Sequence, residues 1–469
     1  MWKDVFMNDR IRCVSPVDGR VFAERVPASD AHVSASLSAA RAAQRDWRRR
    51  PIAERARFCL AAVDAMLAMG DEIPAELAWQ MGRPIRHGAG ELRGFAERAR
   101  YMIGIAEEAL APIDPGPKEN FRRWIARDPL GVVMVIAPWN YPYLTAVNSI
   151  VPALMAGNAV ILKHAAQTLL VGERFQRAFD AAGLPEGLFQ NLVLTHAQTS
   201  TLLAWRGVDQ VNFTGSVEGG RAIEGAASGG FLGVGLELGG KDPGYVRADA
   251  DIAHAVETLV DGSFFNSGQS CCGIERIYVD RRVYRDFVEG FVETTKAYVL
   301  GDPLDEATTL GPLVRAEAAA FVREQIADAV HAGARVLMDP RHWPRDAAGT
   351  PYMAPQVVVD VDHEMSLMRE ESFGPVVGIM AVEDDEEAVR LMNDSAYGLT
   401  AAIFTQDAGA VAWLGQEIET GTVFMNRCDY LDPALAWTGV KDTGRGVTLS
   451  RLGYETLTRP KSYHFRVKP

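Results

Sequence analysis

Apolar and alanine positions recur at helical spacing from residue 32 to 110, with clear runs at 35–47, 53–69 and 92–110. Each run predicts an amphipathic helix. Asp71-Glu72-Ile73-Pro74 adds an acidic, proline-containing helix start. The prolines between Pro112 and Pro117 break this helical region. Residues 122–126 then alternate as a strand does, before Asp128-Pro129-Leu130-Gly131 turns the chain.

From residue 131 short apolar runs alternate with helical ones. Strands are predicted at 132–137, 159–163, 190–194 and 210–213, with helices at 146–155, 168–182 and 198–206 between them. This β-α-β-α order predicts a parallel sheet with helices on both faces. Such sheets take ligands beyond the carboxyl ends of their strands. Pro138-Trp139-Asn140-Tyr141-Pro142, Lys163 and Thr214-Gly215-Ser216 fall at those ends. A second alternation begins near Asp242, with strands at 276–279, 335–337 and 376–380 among helices at 252–261, 281–298 and 315–332. It predicts a second α/β domain, joined through a hinge at 236–241. After Thr448 the chain turns basic and polar, and the alternation at 462–467 suits an edge strand seeking a partner.

Composition narrows the class. A chain of 469 residues is too long for one ordinary core, so two or three domains are expected. Apolar content of 48% and charged content of 23% fit a soluble globular protein. A net charge of −13 weighs against broad binding to nucleic acid or anionic membranes. No apolar run reaches membrane-spanning length, and the N-terminus lacks the basic start and apolar stretch of a signal peptide. The five cysteines, Cys13, Cys59, Cys271, Cys272 and Cys428, form neither a zinc spacing nor an even framework. The expectation is a cytoplasmic protein with free thiols and no metal.

Two segments carry the strongest chemical signal. Leu236-Glu237-Leu238-Gly239-Gly240-Lys241 sets an acid beside a Gly-Gly turn. Phe264-Phe265-Asn266-Ser267-Gly268-Gln269-Ser270-Cys271-Cys272 sets a thiol in a small, polar, glycine-bearing stretch. Together they offer a thiolate nucleophile and a carboxylate base. Taken singly, a cysteine is ordinarily a small buried hydrophobe, and a glutamate is ordinarily solvated surface. Asn140, stiffened by Pro138 and Pro142, can donate to a developing oxyanion or simply cap its own turn. Gly215-Ser216-Val217-Glu218-Gly219-Gly220 follows a strand and opens a helix. Glycine there admits a pyrophosphate to a helix N-terminus, although an ordinary β-to-α turn has the same composition.

These segments occur in one order with Phe213–Ser216, Glu370-Glu371-Ser372-Phe373-Gly374-Pro375 and Gly421-Thr422-Val423-Phe424-Met425-Asn426. In that order, from about residue 13 to 469, the chain resembles the aldehyde dehydrogenase superfamily of the thioester-hydrolysing type. The resemblance implies a Rossmann-like cofactor domain over 1–118 and 131–238, and an α/β catalytic domain over 239–447. A small β oligomerisation extension would come from 119–130 and 448–469. Cys271 matches the nucleophile, Cys272 its variable neighbour and Glu237 the general base. Asn140 and the Cys271 N–H match the oxyanion hole. Lys163 and Glu371 match cofactor-ribose contacts, Ser216 a pyrophosphate contact and Phe373 a contact near the nicotinamide ribose. Trp139, Gly215, Gly220 and Leu238 complete the implied cofactor site. Tyr141, Thr145, Asn148, Phe265, Cys428, Leu431 and Trp437 should line the substrate tunnel.

The implied reaction oxidises an aldehyde to its carboxylate and reduces NAD or NADP, through a Cys271 thiohemiacetal and a thioester. The implied partners are a small-molecule aldehyde and further copies of the chain, as a homodimer or homotetramer, with no nucleic acid and no membrane. Two other readings stand beside it. In a CoA-acylating dehydrogenase or acyl transferase a thiol resolves the thioester, and such enzymes generally lack the base where Glu237 stands. A non-catalytic member of the fold would not need Cys271, Glu237 and Asn140 intact.

The chain also departs from the superfamily pattern. Lys163-His164-Ala165-Ala166 replaces the familiar Lys-Pro-Ser-Glu. Ala166 removes an acid that would bind both adenosine ribose hydroxyls and repel a 2′-phosphate, so a barrier to NADP is gone. Ala436-Trp437-Thr438-Gly439 replaces Pro-Phe-Gly-Gly, and Thr448 stands where an acid is often found, which puts a proton relay through that acid in doubt. Tyr141, Phe265 and Trp437 suggest a narrow apolar sleeve. Asp429 and Asp432 near its mouth either attract a cationic aldehyde or form a solvated acidic loop.

Overall fold

Val132–Ala137 and Ala159–His164 are buried at every position, as strands covered on both faces must be. In the computed structural model, which describes residues 10–468, they form the centre of a six-stranded sheet. Its order is Gly444–Arg445, Gly233–Glu237, Gln210–Thr214, Val132–Ala137, Ala159–His164, Phe189–Asn191. All pairings are parallel except that of the Gly444–Arg445 edge. The chain builds outward from Val132–Ala137 on one side, then returns to add Gln210–Thr214 on the other. Sheets of this kind take ligands at the point where the winding reverses. The loop after Ala137 and the turn after Thr214 flank it, so the expected doubly wound sheet has its site-forming segments at the switch point.

The helical region resolves into Asp30–Trp47, Ile52–Leu67, Ile73–Met81 and Ile85–Ala109. The last begins seven residues before the expected 92, directly after Pro84. Its first turns hide from an apolar count because their buried face carries Gly88 and Glu91. A Cβ on Gly88 would lie 2.5 Å from the Cβ of Pro74, so the close approach requires glycine.

Leu238–Lys241 leads from the first sheet into a second, seven-stranded one. Its order is Arg335–Val336, Gln356–Val359, Val376–Val382, Ile274–Asp280, Asp242–Val246, Thr400–Phe404, Thr422–Met425. Four of these strands lie outside the predicted set. Asp242–Val246 is fully buried, yet it carries Pro243 and Gly244, which ordinarily argue against a central strand. The hairpin of Ile11–Val14 and Val21–Arg25 lies outside that set too, since neither strand presents a clean alternation.

Thr458–Arg466 pairs antiparallel with Phe121–Pro129 through nine register positions, from Thr458 opposite Pro129 to Arg466 opposite Phe121. The expected turn at 128–131 therefore tightens to Leu130-Gly131. Trp124 stacks on Tyr463 with ring centroids 4.4 Å apart. Among the described residues, no helix is long and apolar enough to cross a membrane.

Candidate active site

The helix Ile252–Phe264 ends in a segment with three successive left-handed residues, Asn266 (φ 53°), Ser267 (φ 58°) and Gly268 (φ 69°). Such a run costs free energy and persists only where the surroundings impose it. Asn266 Nδ2 donates to the carbonyls of Asn140 at 3.3 Å and Gln269 at 3.2 Å, and its Oδ1 accepts from Arg83 Nε at 3.2 Å. Ser267 Oγ donates to Gly311 O at 2.8 Å, and Gln269 Oε1 accepts from Val314 N–H at 2.8 Å. A Cβ on Gly268 would sit 2.2 Å from Gly374 O. The strained turn delivers two adjacent thiols into different settings. Cys271 is half-buried. Cys272 is buried, and its Sγ–H donates to Asp429 Oδ1 at 2.9 Å. Contact with the Cys271 thiol, then burial and the Asp429 charge, hold the Cys272 thiol well above its usual range.

Asn140 is buried in the loop after the strand Val132–Ala137, and its Nδ2 donates to Gln269 O at 3.2 Å. That bond ties the candidate oxyanion donor to the thiol-bearing segment. The loop is held from behind by Arg83, which donates to the Asn140 carbonyl and pairs with Glu91. Glu91 Oε1 accepts from the N–H groups of Tyr143 at 2.9 Å and Leu144 at 3.1 Å. Those are first-turn donors of the helix Pro142–Met155, which have no acceptor within the helix itself. A fully buried ion pair thus anchors Asn140. The sequence held a signal for it: Glu91 and Arg98 fall on the otherwise apolar face of their helix, beside Leu92, Phe95, Ala99 and Met102.

Glu237 is the last residue of the strand Gly233–Glu237. Thr214 Oγ1 donates to its Oε2 at 2.9 Å and Thr448 Oγ1 to its Oε1 at 2.5 Å. Burial raises its carboxyl above the usual range, against the lowering influence of both hydroxyls and of Arg98. A cleft of about 240 Å³ opens beside it, walled by Ser149, Asn212, Thr214, Arg445 and Thr448. Water can therefore reach the carboxylate.

The residues matched to cofactor contacts fall at a strand end, at a helix start and beside the Gly239-Gly240 turn. Ser216 caps the helix Val217–Ala227, its Oγ accepting from Gly219 N–H at 3.2 Å. A Cβ on Gly220 would lie 2.6 Å from the buried Leu238 side chain. Lys163, at the end of its strand, is 8% exposed and has no ion pair among the described residues; burial lowers its ammonium to about 8. Glu371 lies against Gly239, where a Cβ would be 2.3 Å from its carboxylate, and it accepts from Gly240 N–H at 3.2 Å. Burial, with the Glu275 charge, raises its carboxyl to about 8. Phe373 (φ 49°) meets Trp139 edge-on with centroids 5.6 Å apart. Its N–H donates at 2.9 Å to Glu275, which pairs with Lys241 at 2.5 Å. Glu275 and Lys241 fix this corner, and no motif singled Glu275 out. An N-capped helix, a buried unpaired ammonium and a carboxyl in a glycine cradle together suit a dinucleotide.

Of the residues matched to the substrate tunnel, Tyr141, Thr145 and Asn148 share one face of the Pro142 helix and its entry. The ring of Tyr141 lies under the Arg83 guanidinium, 4.6 Å from its centroid. Leu431, Trp437 and Cys271 pack on the same cluster of apolar side chains. Phe265 meets His87 edge-on at 4.9 Å. Cys428 packs in the core of the second sheet, donating to Thr258 O at 3.4 Å. Asp429 is drawn inward rather than solvated: besides Cys272 it accepts from Ser270 Oγ at 3.0 Å, and burial raises it to about 6. Asp432 is exposed and caps its own turn through Ala434 N–H at 2.8 Å. No group of three or more metal-ligating side chains occurs among the described residues.

Residues 2–463 match the aldehyde dehydrogenase family. The chain is 35% identical over 455 residues to a succinate-semialdehyde dehydrogenase [NADP(+)] of Mycobacterium avium (strain 104), covering 96% of each. It is 33% identical over 442 residues to the succinate semialdehyde dehydrogenase [NAD(P)+] Sad of Escherichia coli (strain K12), covering 94% of each. Among solved structures it superposes on an NAD-dependent aldehyde dehydrogenase from Sinorhizobium meliloti with a TM-score of 0.93 and 31% identity, covering 98% of this chain and 92% of that one. The fold, the ordered motifs and these likenesses agree: the chain belongs to the aldehyde dehydrogenase family and oxidises an aldehyde with NAD or NADP as acceptor.

Proposed function

We propose that Cys271 is the nucleophile, Glu237 the base that activates water, and Asn140 with the Cys271 N–H the oxyanion donor. The observation that carries this reading is the unequal setting of the two adjacent thiols. Cys272 is buried and bound to Asp429, whereas Cys271 is half-buried at a turn tied to Asn140. The Cys271 thiolate forms a bond to the aldehyde carbon, and the carbonyl electron pair moves to oxygen. Asn140 Nδ2 and the backbone N–H stabilise that charge. A bound nicotinamide would supply the acceptor for the hydride that leaves the same carbon. A thioester then remains on Cys271. Glu237 takes a proton from water, the oxygen attacks the thioester carbonyl, and the Cys271 thiolate departs. A carboxyl raised by burial is a stronger base than an ordinary glutamate. Its presence supports hydrolysis rather than transfer to a CoA thiol.

Lys163 and Glu371 would hold cofactor ribose, Ser216 with Gly215 and Gly220 the pyrophosphate, and Trp139, Leu238 and Phe373 the nicotinamide end. Tyr141, Thr145, Asn148, Phe265, Leu431 and Trp437 would wall the substrate, with Cys428 behind them. The cofactor domain is taken as 1–118 with 131–238, the catalytic domain as 239–447 and the extension as 119–130 with 448–469. An isolated two-stranded ribbon is rarely stable alone, so the pairing of Thr458–Arg466 with Phe121–Pro129 supports a homodimer or homotetramer. Five free cysteines and a net charge of −13 support a cytoplasmic protein that binds neither nucleic acid nor membrane.

Single substitutions test the assignment. Cys271→Ala should abolish NAD(P)H production, and Cys272→Ala should retain it. A dead Cys272→Ala beside an active Cys271→Ala would reverse the assignment.

A further inference from the structure

Arg98 is a cation in a place where a cation needs an explanation. It lies on the helix Ile85–Ala109 with only 9% of its surface exposed. Buried charges are ordinarily paired. Yet Arg98 forms no ion pair within 4.0 Å among the described residues, where Arg83, on the same wall, is paired with Glu91. Its NH1 donates to Leu144 O at 2.9 Å and to Asn148 Oδ1 at a long 3.4 Å. The fully buried Arg276, by contrast, spreads its donors over Lys241 O, Tyr278 Oη, Leu391 O and Met392 O. Arg55 is also buried, but the titratable groups near it are the Cys59 thiol and the Tyr454 phenol. Arg98 instead feels Glu91, Cys272, Glu237 and Cys271, and its charge in turn reaches Asp429. It therefore lies within electrostatic reach of the reacting centre.

A second observation points the same way. Asn148 is 2% exposed, and its Nδ2 has no hydrogen-bond partner. Its Oδ1 faces Arg98, so an unmatched amide donor lies beside an unpaired guanidinium. Both adjoin the helical face that carries Tyr141 and Thr145. The carboxylates within electrostatic reach are already engaged: Glu91 by Arg83, Glu237 by Thr214 and Thr448, and Asp429 by Cys272 and Ser270. None of these three is left to pair with Arg98.

We propose that Arg98, with the Asn148 amide, is the receptor for a carboxylate carried by the substrate, so that the enzyme selects short aldehydes bearing an ω-carboxylate. The proposal rests on the aldehyde-oxidising reading above and adds the residues that choose the substrate. A planar guanidinium matches a carboxylate in two parallel hydrogen bonds, and the amide adds a third. Arg98 is a specificity residue and takes no part in the bond changes at Cys271.

The test compares succinate semialdehyde, butanal and γ-aminobutyraldehyde as substrates. Wild type should favour succinate semialdehyde over butanal by about tenfold or more in kcat/KM. Arg98→Met should abolish that preference, lowering the ratio of those two efficiencies by about tenfold or more, chiefly through KM for the charged aldehyde. Arg98→Lys should recover part of it. Succinate should inhibit wild type competitively and Arg98→Met far less. Equal losses on both aldehydes would overturn the proposal, because a purely structural residue has that signature. The wild-type comparison decides the question even if Arg98→Met does not fold. Oxidation of butanal without preference for the carboxylate sinks this proposal alone, as does a preference for γ-aminobutyraldehyde, which would assign the choice to Asp429. A wild type that oxidises none of the three overturns both this proposal and the reading beneath it.

Discussion

Thr448 Oγ1 donates to Glu237 Oε1 at 2.5 Å, while Thr214 serves the other carboxylate oxygen at 2.9 Å. Position 448 is where the sequence lacks the acid often found there. In its place the hydroxyl stabilises the ionised form of a half-buried base. Burial raises Glu237, and Thr448, Thr214 and Arg98 oppose it in that order. The outcome is a carboxyl more basic than usual.

Replacing Thr448 by Val removes the largest of the opposing influences. The Glu237 carboxyl then rises further, and less of it is ionised at any given pH. Since water activation needs the ionised form, the acidic limb of the kcat profile should move to higher pH. A limb that stays in place or moves to lower pH contradicts the role given to Thr448.

Arg83 and Glu91 hold the Asn140 loop as a buried pair, with side chains 2% and 0% exposed. Breaking one partner of such a pair strands the other charge. Arg83→Met should cost about 3–5 kcal/mol of stability in urea unfolding. The surviving fold should also lose turnover, because Asn140 and Asn266 both lean on the guanidinium. A stability loss below about 1 kcal/mol contradicts the anchoring role.

Ala166 is exposed just beyond the strand that carries Lys163. A glutamate there would meet a 2′-phosphate with like charge and two ribose hydroxyls with an acceptor. Ala166→Glu should therefore raise the NAD-to-NADP ratio of kcat/KM, by about tenfold or more. An unchanged ratio means that another group discriminates between the two cofactors.

What could be read from the sequence followed burial pattern and motif. Val132–Ala137 and residues 159–162 stand out as unbroken apolar runs, and the ordered motifs point to Cys271, Glu237 and Asn140. Asp242–Val246 does not, because Pro243 and Gly244 mask a strand whose burial comes from tertiary neighbours. The supports of the site are the least visible. Glu275 reaches Lys241 across 34 residues and the N–H groups of Ser372 and Phe373 across about 97. Arg83 reaches Asn266 across 183. Pairings of that range leave no local periodicity, and only misplaced charges on an apolar helix face, such as Glu91 and Arg98, hint at them.

The proposed reaction turns on a thioester at Cys271 that is hydrolysed with Glu237 as base. Rapid mixing of Glu237→Gln with aldehyde and NAD(P) isolates that step. A burst of NAD(P)H close to one equivalent per active site is expected, followed by turnover slowed by about 100-fold or more. Steady-state turnover equal to that of the unaltered enzyme would contradict the role of Glu237 and the hydrolytic step with it.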